Sequence, residues 1–160
     1  MDKGPSNYIY LNARGFYEIA ALAYGTPAIL ELSSMAIVAN FAMCVELLLK
    51  CSDAGIQVPP YTKGELLSNA YPHTNIRIRG HALDEMFDKI KSATRERLEE
   101  LYQQETTHDL RTDLIKCKDY FQHARYAYER GHAHSYDIGA IKRLADGLSA
   151  ALLRDWGPAS

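Results

Sequence analysis

An all-α bundle of about five helices is the fold class this sequence predicts, and three features predict it. The first is Met35–Cys51, MAIVANFAMCVELLLKC, where thirteen of the first fifteen residues are apolar and neither Pro nor Gly occurs. A helix apolar on all sides is either a buried central helix or a membrane span. A span needs about 20 apolar residues, and Asn40 and Glu46 already interrupt this shorter run. The central-helix reading follows. The second feature is apolar residues recurring three and four apart at 83–101, 110–121 and 138–152. The third is the mostly short breaks between these runs, as in a helical bundle.

One domain with its own core suits 160 residues. Hydrophobic residues at 47% and charged residues at 24% are ordinary for a soluble globular chain. A formal net charge of −2 gives no global attraction to nucleic acid or an anionic membrane, so any RNA site must be local. Cys44, Cys51 and Cys117 form no disulfide framework, which points to a reducing, cytoplasmic setting. The opening MDKGPSNYIY lacks the apolar core of a signal peptide. No repeat, low-complexity segment or linker divides residues 1–160.

Residues 1–10 read as a loose arm. Phe16, Ile19, Ala20 and Ala23 predict a first helix over Leu11–Tyr24, ended by Gly25. Thr26-Pro27 reads as an N-cap followed by Pro at the first helical position, opening a second helix over Pro27–Cys51. Asp53–Pro72, with Gly55, Pro59, Pro60 and Gly64, reads as loop with a helical turn at Lys63–Asn69. Ile76-Arg77-Ile78-Arg79 alternates like a strand but has no visible partner, so it reads as an extended linker. A third helix follows Gly80, with one stripe of Leu83, Met86, Phe87, Ile90, Leu98 and Leu101. Thr106-x-x-Asp109 resembles a capping box opening a fourth, with Leu110, Leu114, Cys117 and Phe121 inside. Ser135 or Asp137 caps the last, whose stripe is Ile138, Ile141, Leu144, Ala145, Leu148 and Leu152, and Gly157-Pro158 stops it.

Chemistry is most readily placed at Glu46 and in the segment Gln122–Tyr136. A carboxylate in an apolar wall requires a partner. Lys50, one turn on, is the nearest, and Arg125 is the partner expected across the bundle; a wet helix edge is the plain alternative. Arg125 and His132 are seven residues apart, so on a helix they point the same way about 10 Å apart along the axis. The guanidinium can hold phosphate oxygens and the imidazole can move a proton, which suffices for attack of a ribose 2′-OH on its own phosphodiester. The plain alternative pairs Arg125 with Glu46 or Glu129 and leaves His132 in a wet loop. Tyr120, Tyr126, Tyr128 and Tyr136 can stack on unpaired bases, or form core with hydroxyls at its edge. Cys117, His123, His132 and His134 show only His-x-His spacing, short of a zinc site, and no metal or other cofactor is expected. Arg77, Arg79, Lys89, Lys91, Arg95 and Arg97 are interspersed with acidic residues and read as a solvated face.

The order of three short motifs resembles the HEPN superfamily of small helical bundles, common in prokaryotic defence and toxin–antitoxin systems. These are Glu46-x3-Lys50 near the end of the apolar helix, Arg79-Gly80-His81-x-Leu83 opening the next, and Phe121-x3-Arg125-Tyr126-x-Tyr128-Glu129 before the last. The likeness covers roughly residues 28–154. The family's nuclease signature is an Arg, four to six residues, then a His, and Arg125-x6-His132 fits its upper limit. Glu46 matches the accompanying polar position on the earlier helix. The resemblance implies metal-independent endoribonuclease activity in a dimer, giving 2′,3′-cyclic phosphate ends. Arg125, His132 and Glu46 would be catalytic, with Lys50, Tyr126 and Tyr128 against the RNA. It also implies a possible cognate antitoxin as partner. Relatives with an Arg-Tyr-x-Tyr-Glu segment but no nuclease activity supply the alternative, a silent module that binds RNA, nucleotide or protein. A third reading is a structural protein whose Arg–Glu pair only fixes the core.

Overall fold

The computed structural model describes residues 7–57, 73–127 and 135–156. The chain folds as an all-α bundle with one small β-hairpin. Helix α1 spans Asn7–Tyr24 and α2 spans Pro27–Ser52, followed by strands β1 (Ala54–Gln57) and β2 (His73–Ile76). Then come α3 (Leu83–Asp88), α4 (Ser92–Thr106), α5 (Leu110–Cys117), α6 (Tyr120–Arg125) and α7 (Ile138–Trp156).

Helix α2 is the centre, as its composition predicts. It packs against α1, α3, α6 and α7, and Val38, Phe41, Ala42, Cys44, Val45 and Leu48 are sealed from solvent. It is long and apolar enough to cross a membrane, but half of its most apolar window is buried inside the bundle. Its first ten residues differ from the rest. Non-helical backbone at Ser33 (φ −131°, ψ 24°) kinks the helix just before the buried run begins at Ile37. Adjacent Ser33 and Ser34 supply the usual cause, since serine side chains compete for helical backbone groups. Outside the kink, Ile29, Leu32 and Met35 face solvent, as do Leu11, Ile19 and Leu22 of α1.

The first helix begins at Asn7, not Leu11, and takes Ile9 and Tyr10 of the expected arm into the core; four further details correct the sequence reading. Thr26 sits at the N-cap of α2, but its hydroxyl donates back to the Leu22 carbonyl at 2.9 Å instead of capping. The 83–101 stripe belongs to two helices, because Lys89 and Ile90 close tight turns onto Met86 and Phe87. No Pro or Gly marks that break, and apolar spacing carries across it. Thr106 ends α4, where its hydroxyl accepts from the His108 N–H at 3.1 Å, and it does not open α5. Asp109 caps α5 instead, its carboxylate accepting from the Thr112 N–H at 2.7 Å, and Phe121 lies on the separate α6. The segment read as loop after Asp53 contains β1, which pairs antiparallel with β2, Ala54 opposite Ile76 and Gln57 opposite His73; residues 77–79 follow the strand without secondary structure, as a linker does. The expected helical turn at Lys63–Asn69 lies outside the described residues.

At the end of the chain Asp137, not Ser135, caps α7, its Oδ1 accepting from the Ala140 N–H at 2.9 Å. The same carboxylate pairs with Lys116 of α5, while the Asp137 N–H donates to the Tyr120 hydroxyl of α6. One residue thus fixes where three helices meet. A second tie is internal. Asp113 of α5, 3% exposed, accepts two hydrogen bonds from Arg143 of α7 (3.0 and 2.8 Å) and one from the Tyr102 hydroxyl of α4 (2.6 Å). Burial pushes the Asp113 carboxyl up, but these donors outweigh it and hold it below the usual carboxylate value.

Candidate functional site

Glu46 sits in the most sheltered stretch of α2, and the residue is only 2% exposed. Four residues on, Lys50 returns to the same face of the helix and places Nζ 2.5 Å from Glu46 Oε1. The other oxygen, Oε2, lies 3.0 Å from Nδ1 of His81. Both carboxylate oxygens are therefore engaged. Glu46 cannot itself touch a substrate; what it does, it does through its two partners.

His81 reaches Glu46 because of the turn that precedes α3. Gly80 has φ +120°, a conformation that residues with a Cβ rarely adopt, and it swings the chain back toward α2. Lys89 closes the turn from outside, donating to the Arg79 carbonyl at 2.9 Å. The imidazole is then held on two sides. Its Nδ1 edge faces Glu46, and its ring lies 5.7 Å from the Phe121 ring of α6, tilted by 33°. Half of the His81 side chain remains exposed. A carboxylate only accepts hydrogen bonds, so this contact makes Nδ1 the donor and leaves Nε2 on the opposite edge of the ring.

Phe121 also carries the second motif. The Arg125 guanidinium carbon lies 5.9 Å from the Phe121 ring centre and 5.2 Å from that of Tyr126. Arg125 itself is exposed and, among the described residues, forms no ion pair. The expected Glu46–Arg125 pairing is thus corrected. Lys50 and His81 occupy the carboxylate, and Arg125 and His81 share Phe121 as a neighbour. Tyr126 is half-buried beneath the guanidinium. Lys50, expected to face the RNA, has a side chain only 16% exposed and its ammonium committed to Glu46. Tyr128, Glu129, His132 and His134 lie outside the described residues, so the Arg125-x6-His132 geometry is not described.

Two further groups of candidates are accounted for by packing. Tyr120 meets Tyr136 edge-on at 5.3 Å and uses its hydroxyl on the Asp137 backbone, so these rings join helices at the edge of the core. Cys117 is sealed from solvent, and burial pushes its thiol up to about 12. Among the described residues no three metal-ligating side chains gather. Of the basic residues after β2, Arg95 engages Asp88 and Arg97 engages Glu100 and Asp155, while Lys89 donates to the Arg79 carbonyl.

His81 is the site residue that its type and position alone did not single out. Its sequence signals are the glycine before it and its place in the Arg79-Gly80-His81-x-Leu83 motif at a helix entrance, neither of which names its partner carboxylate thirty-five residues away. The arrangement provides an imidazole oriented by a buried carboxylate and, near the same Phe121 ring, an exposed guanidinium whose charge is not neutralised by any described acid. Such a pair can bind an anion and move a proton next to it. Comparison with known proteins finds no matching family model, no matching curated protein and no matching solved structure.

Proposed function

We propose that this protein is a HEPN-like, metal-independent endoribonuclease, acting as a homodimer in phage defence or toxin–antitoxin biology, where a cognate antitoxin would be its protein partner. The observation that carries the reading is the placement of His81, held by buried Glu46, against the same Phe121 ring that Arg125 covers. Arg125 is the phosphate-holding group and stabilises the charge that develops on the phosphoryl oxygens. His132 completes the Arg-x6-His spacing and is the proton-transfer group that spacing implies. The exposed leucines and isoleucines of α1 and α2 support the dimer, since a two-fold contact would cover both copies.

The test is incubation of purified protein with mixed RNA in EDTA, with end-group analysis of the products. Cleavage with 2′,3′-cyclic phosphate ends, lowered at least about 10²-fold by Arg125→Ala or His132→Ala and little changed by His134→Ala, is the expected result. The competing reading, a silent HEPN-type binding module, is favoured by one fact: the Glu46 carboxylate is fully committed within the protein. RNA retention without cleavage would select it.

A further inference from the structure

We propose that His81 is the general base of this site and that Glu46 is its positioning residue, a deepening that rests on the ribonuclease reading. Three observations carry it. Glu46 is buried and Lys50 neutralises it, so its remaining oxygen has one partner, Nδ1 of His81 at 3.0 Å. That contact fixes the ring's tautomer and rotation, as a carboxylate behind an imidazole does wherever the imidazole must take up a proton. Half of the side chain is exposed, Nε2 lies across the ring from the nitrogen that Glu46 engages, and the Phe121 ring packed against the imidazole also lies 5.9 Å from the Arg125 guanidinium carbon.

The step balances without a co-reactant. Nε2 of His81 takes the proton from a ribose 2′-OH, and the 2′-oxygen forms a bond to the adjacent phosphorus. Arg125 holds the phosphoryl oxygens while the bond from phosphorus to the 5′-oxygen breaks. A proton from a general acid, or from water, completes the leaving 5′-hydroxyl. The products are a 2′,3′-cyclic phosphate and a 5′-OH end. The substrate class is RNA with an unpaired nucleotide, because the 2′-oxygen must swing into line with the leaving oxygen.

A purely structural His81 would satisfy Glu46 and nothing more, and the choice of variants separates the two roles. In His81→Asn the amide nitrogen falls where Nδ1 was, so the hydrogen bond to Glu46 survives but no group can take up a proton. His81→Ala instead leaves a ring-sized gap behind which Glu46 still stands. The expected result is that both variants lose at least about 10²-fold in kcat with KM little changed, and that millimolar imidazole restores His81→Ala by about tenfold or more without affecting His81→Asn. Arg125→Ala should differ by raising KM as well. Wild-type kcat in His81→Asn, or a loss in folded His81→Ala that imidazole does not relieve, overturns the proposal and leaves the ribonuclease reading standing. Absence of cleavage by the wild-type protein overturns both.

Discussion

Glu46 on α2 and His81 before α3 meet at 3.0 Å across thirty-five residues of sequence, and the carboxylate that joins them is the most deeply buried charge at the candidate site. Lys50 lies on its other side. Lys50→Met leaves a nearly sealed carboxylate with His81 as its one remaining partner, whereas Glu46→Gln strands an ammonium that keeps some contact with water. Breaking a buried pair costs about 3–5 kcal/mol. Lys50→Met should fall in that range, and Glu46→Gln should cost less. The double variant Glu46→Gln with Lys50→Met should recover part of the loss, because no charge is then left unpaired. Urea unfolding of the four proteins measures this directly, and additive losses would show that the pair is not energetically coupled.

Asp113 sets the acid sensitivity of the fold. Its carboxyl is held below the usual value because hydrogen bonds from Arg143 and Tyr102 overcome the opposing effect of burial. A carboxyl lowered on folding contributes stability that is complete above its unfolded value, about 4, and is lost as pH falls through the lower native value. The urea midpoint should therefore drop below pH 4 in the wild type. Asp113→Asn should be weaker at pH 7 by about 2 kcal/mol, the scale of a charge-assisted hydrogen bond, with a flatter acid limb. Tyr102→Phe removes one donor of three and should cost about 1 kcal/mol.

Helix-scale features were legible in the sequence where periodicity and composition act locally. The buried α2, the stripe of α7 and the capping role of Asp137 all follow from residues within a few positions of one another. What was not legible depended on long-range encounters or on breaks without a marker. The stop at Lys89–Lys91 has no Pro or Gly, so α3 and α4 read as one helix. The β1–β2 pairing joins segments sixteen or more residues apart, and neither strand has a distinctive pattern alone. At the site, Glu46 could be recognised as a charge needing a partner, and Lys50 lay one helical turn away. The choice of His81 over Arg125 could not be read, since it is made by the Gly80 turn and by the way α6 packs beside it.

Gly147 of α7 lies tight against α4. A Cβ there would lie 2.4 Å from the Tyr102 ring and 2.5 Å from the Thr106 methyl. Tyr102 is sealed from solvent and tied to Asp113, so it cannot swing aside. On an open helix Gly→Ala gains about 1 kcal/mol, but overpacking costs typically about 1–3 kcal/mol. Gly147→Ala should thus lower stability despite its better helix propensity. Thr107 offers the opposite case: it ends α4 at φ 62°, which a β-branched residue adopts only under strain. Thr107→Gly should raise stability by about 1 kcal/mol, the cost of a left-handed conformation for a residue with a Cβ. Thermal melts of both variants check the two signs.

The exposed end of the α1–α2 hairpin makes the last prediction. Leu22 is 74% exposed and Leu32 is 89% exposed, and between Thr26 and Ala36 the sole charge is Glu31. Leu11, Ile19 and Leu22 share one face of α1 by their spacing of eight and three. Large apolar faces of this kind mark interaction sites more often than free surface. If two copies meet there, the interface is isologous, so each substitution acts twice. The wild-type protein should have the mass of a dimer in solution at micromolar concentration. Leu22→Glu with Leu32→Glu should have the mass of a monomer while keeping its helical content, because neither leucine contributes to the buried core. On a free surface such changes alter stability by about 0.5 kcal/mol or less and leave the mass unchanged. A wild-type monomer would remove the two-fold cleft from the ribonuclease proposal; a dimer that survives both substitutions would place the interface elsewhere on the bundle.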